Sequence, residues 1–251
     1  MSTAAAIILG LVQGITEFLP ISSDGHLTLF QQFLRLDAPP LAFDVLLHAA
    51  TLLAILYYFR KQLFSFYLSF WKESIVATIP TALIGLFLLK VTPQVFNSPV
   101  IAGFGFLVTS LLLLVAHLRP PGAPKSSGQV SHAAALAIGV FQGFAVLPGL
   151  SRSGSTIAAA RLFGFSHYRA FELSFLLGIP AIIAAFVVSL PDIASFDQSL
   201  LTPSIIGFVV SFASGLLALR LLDTLMMRKT LLPFILYTFL LGCLTLGIFY
   251  I

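Results

Sequence analysis

Apolar residues fill most of this chain in runs of helical length, and two short polar islands break the pattern. Residues 3–18 are apolar, stop at Pro20, pass through QGITEFLPISSDGH (Gln13 to His26) and resume as a short helix to about Arg35. Apolar stretches follow at about Asp44 to Tyr58, Ser74 to Leu89, Pro99 to Leu118, Tyr168 to Leu190, Pro203 to Leu222 and Leu232 to Tyr250. These six are read as through-spans, the first two short. Strands of alternating character are absent from the pattern, so the predicted class is an all-α polytopic membrane protein rather than a barrel. Between the third and fourth spans lies a second interrupted stretch, from Ala133 through Pro148 to Phe163, which carries LPGLSRSGST (Leu147 to Thr156).

The two halves resemble each other at an offset of about 128 residues. Leu19-Pro20 matches Leu147-Pro148, Ser23 matches Ser151, Phe43-Asp44 matches Phe171-Glu172, and Gln13-Gly14 falls near Gln142-Gly143 with a one-residue slip. Two repeats are expected within one transmembrane domain over 1–251: about 1–118 and 132–251, joined by a linker at about 119–131 that holds PPGAPKSSG. Each unit would hold one interrupted segment and three spans, and an odd number of crossings inverts the second unit.

Charge gives an independent test. Arg60, Lys61 and Lys72, then Arg119 and Lys125, then Arg161 and Arg169, then Arg220, Arg228 and Lys229 mark cytoplasmic segments by the positive-inside rule. Thr92 to Ser98 and Pro191 to Thr202 hold no Lys or Arg, the latter carries Asp192 and Asp197, and both are expected outside. Six crossings satisfy every segment when both termini are outside. The interrupted stretches then begin and end on one side, so they are expected to be re-entrant helix-turn-helix hairpins whose polar tips meet near mid-membrane.

Composition agrees with this reading. Of 251 residues, 59% are hydrophobic and 9% charged, with a mean hydropathy of +1.05, too little polar surface to coat a soluble globule. The net charge of +4 is what basic cytoplasmic loops supply, so no nucleic-acid partner is called for. One cysteine, Cys243, excludes an internal disulfide or a cysteine metal cluster. The N-terminus lacks the basic region and cleavage site of a signal peptide, so the chain is expected to be unprocessed. A homodimer is left open by the sequence.

The polar islands carry the chemistry. Gln13 and Glu17 are four apart on a helix and share a face. A carboxylate at membrane depth costs about 2.5–3.5 kcal/mol on insertion scales, which marks Glu17 as functional unless pairing with Arg152 is merely structural. Pro20 ends the helix, and Ser22, Ser23, Asp24 and Gly25 form a turn that lets backbone N–H groups approach a ligand before His26 enters the next helix. In the second island Pro148-Gly149 breaks the helix. Ser151, Arg152, Ser153, Gly154, Ser155 and Thr156 then lead into another: hydroxyls, a guanidinium and a helix N-terminus that suit a phosphate. The lone histidines His48, His117, His132 and His167 are read as packing or interface residues. A carboxylate, an imidazole and hydroxyls facing a phosphate clamp inside the bilayer suit phosphoryl hydrolysis on a lipid. Any divalent ion held by Glu17 would be shared with substrate oxygens.

These two motifs, QGITEFLPISSDGH and PGLSRSGST, resemble the signatures of the undecaprenyl-diphosphate phosphatase family, also called bacitracin-resistance proteins. The resemblance extends to FDVLLHAATLLAILYYFR, FELSFLLGIPAI and LLPFILYTFLLG, nearly the whole chain. It implies a bacterial inner-membrane enzyme that removes the terminal phosphate of undecaprenyl diphosphate, a polyprenyl diphosphate lipid, and recycles the carrier for peptidoglycan. It places Glu17, Ser23, His26, Ser151, Arg152 and Thr156 among the catalytic residues, and implies Mg2+ or Ca2+ and an active site facing the periplasm. Gln13 stands where many members carry a glutamate, which removes one of two carboxylates from a metal site. Asp24 stands where a small hydroxyl residue is common, which adds an acid beside the phosphate.

The expected roles are Ser23 as nucleophile, Glu17 or His26 as base, and Arg152 as diphosphate clamp, with Gln13, Ser22, Gly25, Ser151, Ser153 and Thr156 binding substrate. Direct attack by His26 is the alternative. The competing function is a transporter or flippase of the carrier lipid, because inverted repeats with broken helices are transporter architecture. The other large class of lipid phosphatases needs a histidine six residues beyond its arginine, and Ala158 stands there.

Overall fold

The computed structural model describes residues 1–33, 41–96, 98–120, 130–190 and 200–250. Among these, ten α-helices and one 3-10 turn account for the regular structure. They are α1 (Thr3–Phe18), α2 (Ser23–Phe33), α3 (Leu41–Tyr58), α4 (Arg60–Val91), the turn Pro93–Val95, α5 (Pro99–Leu118), α6 (His132–Phe144), α7 (Arg152–Leu162), α8 (His167–Val188), α9 (Leu201–Met227) and α10 (Leu232–Phe249). Several starts are set by serine: Ser2, Ser98, Ser131, Ser151 and Ser166 each accept a bond from the backbone N–H three residues on. A serine cap contributes about 1 kcal/mol, most where water cannot satisfy the free amide.

Five described helices, α4, α5, α8, α9 and α10, are long and apolar enough to cross a membrane; α1, α6 and the 43–58 part of α3 are shorter apolar helices. They leave large side chains such as Phe64, Leu118 and Leu240 exposed, a surface fit for lipid and not for water. The chain is a multi-pass membrane protein. The expected linker run at 121–129, the segment at 191–199 with Asp192 and Asp197 that is expected outside, and the expected end of the first hairpin at 34–40 lie outside the described residues.

Small residues decide which helices touch. A Cβ on Gly10 would fall 2.6 Å from the Gly207 carbonyl oxygen and one on Gly14 would fall 2.4 Å from that of Ser211, so α1 and α9 meet backbone to backbone. Gly139 and Gly143 repeat the spacing on α6, where a Cβ on Gly139 would fall 2.1 Å from the Ala77 carbonyl oxygen of α4. In lipid, where apolar side chains gain little by leaving their solvent, such close approach is what drives helix association.

Two features depart from the hydrophobic pattern. α4 begins at Arg60, well before Ser74, because an arm from Arg60 to Phe70 precedes the apolar run and bends at Phe70 (φ −128°, ψ 27°). In α8, Pro180 lacks the N–H that would bond the Leu176 carbonyl, and the Tyr67 hydroxyl donates to that oxygen at 2.6 Å. The arm is thereby fixed to the helix that walls the site. Arg161 is fully buried and paired with carbonyls: Nε donates to Ala116 (3.2 Å), Nη1 to Phe165 (2.7 Å), and Nη2 to Arg119. It closes the C-terminal end of α5, where carbonyls lack helical partners and the dipole favours a cation.

Candidate active site

Both polar islands become helix-turn-helix tips, and the tips touch. α1 carries Gln13 and Glu17 on one face and ends at Leu19 because Pro20 cannot continue it. Ser22 then takes a left-handed conformation (φ 70°), uncommon for a residue with a Cβ and a mark of local strain. His26 holds that turn: its ring Nδ1 donates to the Ser22 carbonyl at 2.6 Å. The turn starts α2 at Ser23, and on the other side Ser151 caps α7, which starts at Arg152. A Cβ on Gly25 would sit 2.9 Å from Gly149 Cα and 2.6 Å from the Phe106 ring, so the first turn of α2 packs directly on the turn that precedes α7. Gly149 itself needs φ 79°. Two helix N-termini brought near one place favour an anion.

Glu17 is the knot between them. Arg152 Nη2 donates to Oε1 at 2.9 Å, while Ser23 Oγ at 2.6 Å and Gln13 Nε2 at 3.2 Å donate to Oε2. The ion pair is largely shielded, with side-chain exposures of 15% for Arg152 and 11% for Glu17. Arg152 also lies over the Phe175 ring at 5.4 Å, and its Nη1 is buried with no partner. Ser153 Oγ donates to the Leu19 carbonyl at 3.2 Å, another tie between tips.

A cavity of about 440 Å3 opens in front of this knot. Of the predicted site residues it is lined by Glu17, Ser22, Ser23, Ser151 and Arg152. Asp24, Asp44, His48, Thr81 and Gln142 extend the polar wall, and Leu89, Phe96, Ile182, Ala185 and Phe186 make the far end apolar. A charged headgroup and a hydrocarbon tail would thus find separate surroundings in one space.

Gln13, Gly25, His26, Ser153 and Thr156 stand behind the lining. Gln13 backs Glu17, and its Oε1 is buried without a partner. Thr156 is fully buried, with its hydroxyl 2.8 Å from the Arg152 carbonyl and 2.6 Å from Ser174 Oγ, so it steadies the first turn of α7. His26 is 4% exposed, stacked on Tyr237 and edge-on to Phe106. Its Nδ1 must carry the proton given to Ser22, so in the neutral ring Nε2 accepts from the Tyr237 hydroxyl at 2.7 Å.

Thr109 and His48 are among the residues that reach the site without having been singled out for it. Thr109 on α5 accepts from Ser151 N–H at 2.9 Å and donates to the Gly149 carbonyl at 2.8 Å, which fixes the second tip. One threonine in an apolar helix gives no such signal in sequence. His48, read as a packing residue, lies on the cavity wall; its clue was the fourfold spacing from Asp44, whose carbonyl accepts from its Nδ1 at 2.9 Å.

Known proteins resemble the chain over the same extent. The family described as bacitracin resistance protein BacA matches residues 6–244. A protein named undecaprenyl-diphosphatase from Desulfosudis oleivorans is 38% identical over 99% of this chain and 99% of its own length. Its namesake from Carboxydothermus hydrogenoformans is 37% identical, covering 96% of this chain and 95% of the relative. A third, from Desulfatibacillum aliphaticivorans, is 36% identical over 94% and 95%. With the family match spanning residues 6–244 and relatives 36–38% identical over nearly the full length, the chain belongs to the BacA family of bacitracin resistance proteins.

Proposed function

We propose that this protein is a membrane phosphatase that hydrolyses undecaprenyl diphosphate to undecaprenyl phosphate and inorganic phosphate, recycling the carrier lipid for peptidoglycan and so giving bacitracin resistance. The observation that carries the reading is the convergence of Ser23 and Arg152 on the two oxygens of Glu17 at the head of a half-apolar cavity. The name carried by the relatives favours hydrolysis over lipid transport.

Ser23 Oγ attacks the terminal phosphorus and gives its proton to Glu17, which already accepts it as a hydrogen bond. The P–O bond to the bridging oxygen breaks, undecaprenyl phosphate leaves, and water then displaces the phosphoryl group from Ser23. Arg152 and the N-terminal amides of α2 and α7 hold the phosphate oxygens. His26 is a positioning residue: with both ring nitrogens committed to Ser22 and Tyr237, it fixes the turn that aims Ser23. A divalent ion, Mg2+ or Ca2+, would neutralise the diphosphate. Glu17, on the cavity wall, is the protein group that would hold it together with substrate oxygens, with Gln13 behind it holding the carboxylate through Nε2.

The topology we infer has six through-spans, with α3 as the sixth, and re-entrant hairpins formed by α1–α2 and α6–α7. It comprises two inverted repeats, 1–118 and 132–251. Supporting this, α1 packs on α9 and α6 on α4, the same pairing with the units exchanged, through glycine pairs at the same spacing. The cavity's apolar end lies by the C-terminal ends of α4 and α8, lined by Leu89, Ala185 and Phe186; Lys90 lies in the last turn of α4, and the sequence then holds no Lys or Arg over 92–98 or 191–202. That favours a site facing the periplasm of an inner membrane with both termini outside.

Phosphate release from a C55 diphosphate by the purified protein tests the function. Ser23→Ala and Arg152→Ala should each lower it by roughly 100-fold or more while the protein stays monodisperse. A wild-type preparation that releases no phosphate would overturn the reading.

A further inference from the structure

The imidazole that faces the cavity belongs to His48. His26 is 4% exposed and spends both nitrogens on protein groups, whereas the His48 side chain is 38% exposed and lines the space in front of Ser23 and Arg152. Its orientation is fixed from behind. The Asp44 carbonyl can only accept, so Nδ1 carries a hydrogen, and Nε2 points to Asp24 Oδ1 at 3.6 Å. A nitrogen lone pair facing a carboxylate would be repelled, while an N–H is attracted, so this geometry suits an imidazolium. At 3.6 Å the pair is an ion pair without a close hydrogen bond, and Asp24 is itself 49% exposed, which leaves the Nε2 proton free to turn to a ligand.

We propose that His48 is the proton carrier of the reaction, a role that rests on the phosphatase reading. As Ser23 Oγ bonds to the terminal phosphorus, the P–O bond to the bridging oxygen breaks and His48 Nε2 gives its proton to that oxygen; the Ser23 proton passes to Glu17. In the second half the neutral His48 takes a proton from the attacking water. The water oxygen bonds to phosphorus, the P–Oγ bond breaks, and Glu17 returns its proton to Ser23. One water is consumed and every group regains its starting proton. Asp24 orients the ring and stabilises the charged form. Among the described residues, the charged groups that line the cavity with His48 are Glu17 on α1, Asp24 on α2, Asp44 on α3 and Arg152 on α7; α4 and α8 contribute uncharged lining such as Thr81 and Ile182, and no described α9 side chain lines it.

The test compares wild type, His48→Gln and Asp24→Asn on a C55 diphosphate in detergent, with kcat and KM measured across pH. His48→Gln should lower kcat roughly 100-fold or more with KM within about threefold, and should erase the fall of kcat on the alkaline side. Asp24→Asn should lower kcat by about tenfold, and it carries the test if His48→Gln does not fold. An active wild type beside variants with unchanged kcat and pH profile overturns the role of His48 alone. A wild type that releases no phosphate overturns the phosphatase reading and this role with it.

Discussion

Glu17 and Arg152, 135 residues apart in the chain, form an ion pair at 2.9 Å where two helix-turn-helix tips meet. Glu17 turns its other oxygen to Ser23, so the contact that joins the tips also orients the proposed nucleophile. Structure and chemistry are therefore coupled at this carboxylate, and variants can separate them.

Glu17→Gln should lose activity by roughly 100-fold or more and also stability, because it leaves Arg152 shielded and unpaired, a loss of about 3–5 kcal/mol for a fully buried pair and less here. The double variant Glu17→Gln/Arg152→Gln should recover most of the stability and none of the activity. Thermal unfolding in detergent beside phosphate release measures both; equal stability of the single and double variants would mean the pair does not hold the tips together.

Tyr67→Phe removes the hydroxyl that satisfies Leu176 and should cost about 1–2 kcal/mol. In a Pro180→Ala background residue 180 regains an N–H, so the same substitution should cost less. A double-mutant cycle on thermal stability reads the difference, and identical penalties in the two backgrounds would show that the tyrosine and the proline are independent.

Gly178→Ala probes fit beside the guanidinium. An added Cβ would lie 3.1 Å from Gln142 Oε1 and 3.3 Å from Arg152 Nη1, so Arg152 must shift by a few tenths of an ångström. Activity should fall by about tenfold with little change in melting temperature. Wild-type kinetics would mean that the position of Nη1 does not matter to substrate.

How much of this was readable in the sequence depends on what each residue costs in lipid. Glu17 and Arg152 stood out because charge inside an apolar run is expensive without a partner, and the proline-broken tips of opposite composition pointed to each other. The close packing of α1 on α9 and of α6 on α4 uses two glycine pairs, of which the repeat offset aligns Gly14 with Gly143. The Arg60–Phe70 arm was missed because its side chains mix charged, aromatic and polar types in no clean period, and its helix is held by tertiary contacts such as Tyr67 to Leu176. His26 sits in a polar island and His48 in an apolar run, and neither setting tells which ring faces a cavity. Only the arrangement of α2, α3, α5 and α10 turns one ring toward Tyr237 and the other toward the cavity. Arg161 read as a cytoplasmic charge, since the carbonyls that bury it come together only in the fold.

Arg161→Lys should therefore destabilise the protein although it keeps the charge, because one ammonium cannot reach three carbonyls held by a planar fork. A loss of roughly 2 kcal/mol is expected, with kcat nearly unchanged in the fraction that stays folded. Unaltered thermal stability would show that the three contacts do not support the α5 end.

The most direct test of the account is where the phosphoryl group goes. Enzyme quenched during turnover of a C55 diphosphate, in acid and in alkali to preserve phosphoserine and phosphohistidine respectively, can be digested and mapped by mass spectrometry. The account predicts phosphate on Ser23, retained in His26→Ala at lower occupancy and absent from Ser23→Ala. Phosphate on His26, or a Ser23→Ala protein that still turns over at the wild-type rate, would contradict it.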